Sequence, residues 1–196
     1  MAVENGDLAA VTQALQQGAN AGTVAPDYDA QSISVLQLAI DREKCYITLP
    51  HPREPLPDEA YYGYYPRVRN PNIAGIVLAL LKQGADPNAR DQHGVLLLLH
   101  AVEGEYSPAI VQALLEHGAS PSAKDNHGFS ALAAASDTGN LTVVRMLLAK
   151  GARPDQTVRD GFTPLQYALR NFRGCSVSDK PTRVHYWEIV QLGFVA

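Results

Sequence analysis

His93 and His127 each stand directly before a glycine, 34 residues apart. Imidazole side chains in such a pair could ligate a metal ion or transfer a proton in catalysis. No other mark of catalysis accompanies them, because the sequence has no Gly-x-Ser-x-Gly elbow, no phosphate-binding glycine loop and no His-Glu-x-x-His motif. Cys45 and Cys175 form no metal-spaced pair. We therefore expect no enzyme, no bound metal and no cofactor, and the role of the histidines depends on the elements that carry them.

Length and composition restrict the class of protein. At 196 residues, with 46% hydrophobic and 18% charged residues, the chain suits one folded domain or a short repeat array. Its net charge of −4 disfavours nucleic-acid binding, which rewards a concentrated basic surface. The longest aliphatic run, Val95 to Leu99, is far shorter than the ~20 residues of a membrane helix, and no signal peptide is visible at the N-terminus. We expect an intracellular protein, cytoplasmic or nuclear, without a nucleic-acid or membrane partner.

The chain repeats itself with a period near 33 residues. In each period a Gly-Ala-x-Pro segment is followed ten residues later by a second glycine and four residues after that by a leucine. The first glycines are Gly84, Gly118 and Gly151, the second are Gly94, Gly128 and Gly161, and the leucines are Leu98, Leu132 and Leu165. Such a unit cannot bury its own apolar face and must stack on its neighbours. This organisation favours a surface for another macromolecule over a pocket for chemistry.

One unit shows how each period folds. Asp125 to Gly128 has the residues of a tight turn. Ser130 is the expected N-cap of a short helix of small residues. A second, more apolar helix is predicted from Leu141 to Leu148, and Gly151 ends it. Each unit is therefore a turn followed by two helices.

The segment Thr163-Pro164-Leu165-Gln166-Tyr167-Ala168 resembles the Thr-Pro-Leu-His-x-Ala signature of ankyrin repeats. Threonine caps the helix, proline suits its first position and leucine enters the core. The third unit, Leu96 to Ala101, has leucine at the threonine, proline and histidine places, which removes the cap and weakens hydrogen bonding between repeats; the second, Ser34 to Ala39, is imperfect but in phase. The resemblance covers essentially the whole chain and implies an all-α repeat solenoid of helix-turn-helix repeats with short β-hairpin loops.

We predict a single ankyrin repeat domain of five units, of which the first and last are irregular. Leu36 lies 48 residues before Gly84, whereas Leu132 lies only 19 before Gly151, so the second unit contains an insertion. The predicted units are approximately 1–27, 28–88 with the insertion at 48–72, 89–121, 122–154 and 155–196.

The resemblance also indicates whether His93 and His127 could bind one metal ion together. It places His93 and His127 at successive hairpin tips, about 10 Å apart, too far to share one ion whose histidine ligands lie at about 2.0–2.1 Å. They are better interpreted as solvated turn residues. His100 follows the core leucine Leu98 on a first helix, where a hydrogen-bonded structural histidine is expected.

Partners of ankyrin proteins usually contact the hairpin tips and the inner helices, which implies protein-binding positions in three units. The residues before each turn glycine are Gln92 and His93, Asn126 and His127, and Arg159 and Asp160. The residue after it is apolar each time: Val95, Phe129 and Phe162. Two interpretations stay open: this apolar row anchors a partner, or it packs onto the adjacent hairpin.

The insertion is a second candidate. It holds six prolines, which forbid a regular helix and favour extended segments. Its four clustered tyrosines, which offer contact area at low entropic cost, are Tyr61, Tyr62, Tyr64 and Tyr65. A binding loop is favoured, and the alternative is a tethered loop that covers the edge of the core.

The C-terminal end is a third candidate, with an excess of apolar residues in a predicted short helix: Tyr186, Trp187, Ile189, Val190, Leu192 and Phe194. Terminal units normally carry a polar outer face. Most of this set is expected in the core, and the remainder predicts a neighbouring domain, self-association or a chain cut from a longer parent.

Asn88 also resembles sites of asparaginyl hydroxylation in ankyrin repeats, although Pro87 stands where valine is usual. A plain turn residue is the favoured interpretation.

Together these features predict a protein–protein interaction module, namely a scaffold, adaptor or targeting domain that binds a protein or peptide. The alternative is the regulatory ankyrin domain of a larger enzyme whose catalytic part lies outside this chain. The sequence does not identify the partner.

Overall fold

A computed structural model describes residues 2–3, 5–26, 32–42, 72–91, 94–103, 107–158, 160–174 and 180–195. The insertion at 48–72 therefore lies outside the described residues, except for Asn72. The elements, in chain order, are α1 (Leu8–Gln16), β1 (Val24–Pro26), β2 (Ser32–Ser34), α2 (Val35–Arg42), α3 (Ile73–Lys82), α4 (Leu97–Glu103), α5 (Pro108–Glu116), α6 (Ala131–Asp137), α7 (Leu141–Ala149), α8 (Pro164–Gly174) and α9 (Lys180–Val195).

Side-chain caps fix where most of these helices begin. Ser130 accepts a hydrogen bond from the backbone N–H three residues ahead of it at 3.3 Å, as its predicted role requires. Asp7 caps α1 and Asn140 caps α7 in the same way. At α8 the backbone N–H of Thr163 donates to the Gln166 side chain at 2.7 Å, and the Thr163 hydroxyl accepts from the Gln166 N–H at 3.3 Å. This reciprocal capping box explains why the signature segment begins a helix.

The helices form two stacked layers. Helices α4, α6 and α8 pack successively in one layer, and α1, α3, α5, α7 and α9 pack successively in the other. Each pair α2–α3, α4–α5, α6–α7 and α8–α9 joins the layers. The predicted all-α repeat solenoid is confirmed, because every helix is stabilised by contact with its neighbours.

Hairpins connect the successive units. Strands β1 and β2 pair antiparallel, with Ala25 opposite Ile33. The next two hairpins are reduced to single antiparallel bridges, Arg90 with Leu96 and Lys124 with Ser130. The loops between units are therefore short hairpins, as the family resemblance implies.

The core runs along the interface between the layers. Helix α6 contributes small buried residues, Ala131 and Ala133 to Ala135, which allow close approach of its neighbours, while larger side chains such as Leu114 and Leu147 fill the second layer. Of the three repeated leucines, Leu98 and Leu132 are each 3% exposed, and Leu165 is only half-buried against the same core.

The leucine-rich third unit shows how a helix begins without the threonine cap. Leu96 has no side-chain acceptor, and the backbone N–H of Leu97 donates instead to the carbonyl of Ala89 at 3.1 Å. Leu97 and Leu99 are completely buried. In this unit leucines stand where the signature has capping and polar residues. The unit therefore lacks their side-chain hydrogen bonds and gains buried apolar surface instead.

The last helix differs from its prediction. Helix α9 spans 16 residues, so the expectation of a short helix was wrong. Pro181 stands in its first turn, where a missing N–H costs little, and no glycine interrupts the helix before Gly193.

Candidate binding surface at the hairpin tips

Aspartates shape two of the hairpin tips. The Asp125 carboxylate accepts hydrogen bonds from the backbone N–H groups of His127 and Phe129, each at 2.8 Å. Asp91 accepts from the N–H of Val95 at 2.8 Å in the preceding tip. In the last tip Val158 replaces this aspartate, and the turn is closed by backbone hydrogen bonds from the N–H of Val158 to the carbonyl of Phe162 and from the N–H of Gly161 to the carbonyl of Val158. The carboxylates therefore fix the turns from which the predicted contact residues project.

Polar side chains in the turns that follow the second helices join successive repeats. Asn88 donates to the carbonyl of Gly118 at 3.1 Å and accepts from the N–H of Ser120 at 2.9 Å. Ser122 repeats this arrangement one unit later, accepting from the N–H of Arg153 at 3.2 Å. Both functional atoms of the Asn88 amide are thus engaged between hairpins, which supports its interpretation as a structural turn residue.

The apolar row of Val95, Phe129 and Phe162 divides into two environments. Val95 and Phe129 are half-buried, whereas Phe162 is 41% exposed. Both phenylalanine rings pack edge-to-face on Tyr167, with ring centroids 5.6 Å away for Phe129 and 5.9 Å for Phe162. Phe129 therefore fits the interpretation that the row packs on the adjacent hairpin, because its ring is half-buried. Phe162 is more exposed and is compatible with a contact role.

A groove, here called the tip groove, opens between the last two hairpins and the inner helices. Its volume is about 500 Å³. It is lined by Glu103, Asp125, His127, Phe129, Val158, Asp160 and Tyr167. Four of these residues were predicted as contact or turn residues: Asp125, His127, Phe129 and Asp160. The helix residues Glu103 and Tyr167 were not predicted.

The electrostatics of the tip groove are dominated by carboxylates. Partial burial raises the pKa of Glu103, the negative charge of Asp125 raises it further, and His100 lowers it. Burial is also the largest cause that raises the pKa of Tyr167, followed by the charge of Asp160. Tyr167 therefore stays a neutral phenol, and its hydroxyl donates to Asp160 Oδ2 at 3.4 Å.

A cation flanks the aromatic cluster. The Arg170 guanidinium lies 4.8 Å from the centroid of the Tyr167 ring, a cation–π arrangement. It also forms an ion pair with Asp137 Oδ1 at 2.8 Å. Sequence reasoning missed these residues because Tyr167 occupies the variable place of the signature. The position of Tyr167 on an inner helix next to the hairpin tip is the sequence feature that could have identified it as a residue of this site.

The other predicted site residues have mixed outcomes. Asn126, His127 and Asp160 are exposed at the tips, as a contact role requires. The remaining predicted contacts lie outside the described residues: Gln92, His93, Arg159, Tyr61, Tyr62, Tyr64 and Tyr65. The site assignment as a whole stays a prediction.

His100 has the structural environment that was predicted. Its Nε2 lies 2.7 Å from Asp41 Oδ1, so this ring joins α4 to α2. Asp41 also accepts a hydrogen bond from the Gln37 amide. Across the described ranges there is no group of three or more histidine, cysteine or acidic side chains that could hold a metal ion.

The C-terminal surface is partly core and partly exposed. Tyr186, Ile189 and Val190 are buried, and the Tyr186 hydroxyl donates to the carbonyl of Asp137 at 2.6 Å. Trp187, which packs near Phe172, remains 50% exposed. In the part of the chain that the structure describes, no helix combines the length and apolarity needed to cross a membrane.

Comparison with protein families identifies part of the chain. Residues 68–160 match the family model described as ankyrin repeats (3 copies). No curated protein matches the chain. The matched range contains helices α3 to α7, two complete hairpin tips and part of a third, and most residues of the tip groove.

Proposed function

Because the chain belongs to the ankyrin repeat family, whose repeats generally mediate protein–protein interaction, we propose that it is a recognition module that binds a protein or peptide. Ankyrin repeats are typically non-catalytic, and we propose a scaffold, adaptor or targeting role. We assign the whole chain to one domain of five units.

The proposed contact surface comprises the tips of the last three hairpins and the inner helices beside them. The observation that carries it is Phe162, whose ring is 41% exposed yet held against Tyr167. A large apolar side chain that is fixed in position and framed by polar tips has the character of an interface anchor. Asn126, His127 and Asp160 supply the polar frame.

The size of a protein interface favours a contact surface that extends beyond the tips. A standard interface uses about 20–30 residues on each side, more than three hairpin tips supply. We therefore propose that the tyrosines of the insertion add to the same surface. The alternative is that the tips alone bind a short peptide.

Replacing Phe162 with serine tests this assignment. We expect the Phe162→Ser variant to lose its partner in affinity capture from the native cell extract while its Tm falls less than that of Phe129→Ser, because Phe162 is 41% exposed and its loss removes an edge contact with Tyr167 and little core. Phe129→Ser should lower the Tm, since Phe129 packs against Ala133, Val158 and Tyr167. Capture is read by mass spectrometry and Tm by circular dichroism.

Val184→Ser is the matched control, because Val184 is 52% exposed on the C-terminal helix α9. It should capture the same protein as the wild type. Equal capture by all variants would remove Phe162 from the interface. Loss in Val184→Ser alone would move the interface to the C-terminal surface.

A further inference from the structure

The tip groove carries a charge imbalance. Three of its lining side chains are carboxylates, Glu103, Asp125 and Asp160, and none of the described residues that line it is lysine or arginine. Arg170 lies beside the groove, but its guanidinium is already paired with Asp137 at 2.8 Å. The Asp125 carboxylate is engaged with backbone N–H groups of its own turn. The groove is therefore negative and has unused acceptor capacity.

Glu103 is the least compensated of these groups. Among the described residues, no hydrogen-bond donor or ion-pair partner contacts its carboxylate. Partial burial and the charge of Asp125 both disfavour its ionised form, which is why its pKa is raised. Glu103 is exposed to solvent, so a cation entering the groove could reach its carboxylate, pair with it and neutralise its repulsion with Asp125.

The aromatic wall completes a site for a cationic side chain. Phe129 and Tyr167 line the groove, and Phe162 packs on Tyr167 at its edge. The Tyr167 ring is 5% exposed and is already covered by the Arg170 guanidinium, so the partly exposed rings of Phe129 and Phe162 are the ones that can meet a partner cation. Aromatic faces attract cations and also cover the aliphatic stem of a lysine or arginine.

We propose that the tip groove binds an arginine or lysine side chain of a partner segment, with an adjacent apolar residue of that segment packed on Phe162. This inference rests on the proposed function and adds the chemistry of the partner. Charge complementarity selects a basic segment over an acidic or purely apolar one.

The test is selection from a random peptide library displayed on phage. We expect the wild-type protein to enrich peptides that combine lysine or arginine with a neighbouring apolar residue. Synthetic peptides from the selection are then titrated by calorimetry. The double variant Glu103→Lys, Asp160→Lys should bind them at least about tenfold more weakly, which corresponds to about 1.4 kcal/mol.

Glu116→Lys serves as the charge-reversal control at a distant site, because Glu116 is exposed at the end of α5 in the other helix layer. It should bind like the wild type. The neutral variant Glu103→Gln, Asp160→Asn should give an intermediate affinity, and circular dichroism confirms that each variant is folded.

The outcomes separate this inference from the proposed function. Selected peptides without enriched basic residues, or equal binding by the double variant, would overturn the cationic site and leave peptide recognition intact. Selection of basic peptides that Glu116→Lys also fails to bind would show only general charge attraction and overturn the site as well. If no peptide is enriched, the cationic site is rejected; retained partner capture through Phe162 would still uphold the proposed function.

Discussion

Leu98→Ala and Leu132→Ala are each expected to lower the free energy of unfolding by about 2–5 kcal/mol. Both side chains are 3% exposed in the layer interface, so truncation loses apolar burial and leaves a cavity that the neighbouring units cannot fill. Urea denaturation followed by circular dichroism measures the loss.

Leu165→Ala provides the internal comparison. Leu165 has the same place in its repeat, but it is only half-buried. We expect a smaller loss because less surface is returned to water and a smaller cavity forms. An equal loss at all three positions would contradict the lesser burial of Leu165.

Gly139→Ala is expected to cost about 2–4 kcal/mol, from strain in a left-handed conformation together with overpacking. Gly139 has φ +71°, and an added Cβ would lie 2.8 Å from Cζ of Tyr186. That ring cannot move away freely, because its hydroxyl bonds the carbonyl of Asp137. The added methyl group would therefore clash with the Tyr186 ring, and neither the turn nor the ring can move easily to relieve the contact.

Gly151→Ala separates the two costs in the same denaturation assay. Gly151 has φ +86°, but no atom lies within 4 Å of the added Cβ. We expect a loss of about 1–2 kcal/mol from backbone strain alone. If Gly139→Ala lowered the free energy of unfolding by no more than Gly151→Ala, that result would contradict the close contact between Tyr186 and the turn at Gly139.

Much of the fold could be predicted from local chemistry. The cap at Ser130 and a helix beginning at Leu141 follow from residues that act within a single repeat. Their signals are strong because capping and turn formation depend on neighbours only a few residues away. The repeat period then predicts that the units stack.

The tip groove was only partly predictable, because it is formed between units. The rows of His127, Phe129 and Asp160 followed from repeat positions, but the packing of Phe129 on Tyr167 depends on how two adjacent units meet. Glu103 comes from the unit before them. Burial is the largest cause of its raised pKa, and the charge of Asp125 in the next hairpin raises it further.

The C-terminal helix shows another limit of local reasoning. An excess of apolar residues predicted an unusual surface, and the structure buries Tyr186, Ile189 and Val190 while leaving Trp187 exposed. Composition identified the segment, but only the packing of α9 on α7 and α8 separates its core residues from its surface residues.

Site-specific photo-crosslinking in the native cell extract tests recognition through the hairpin tips most directly. A photo-reactive phenylalanine analogue replaces Phe162 in one variant and Trp187 in the other, since both are exposed aromatic positions on different surfaces. Recognition through the tips predicts a discrete crosslinked protein from position 162 and none from position 187. Crosslinks from position 187 alone, or the same products from both positions, would contradict it.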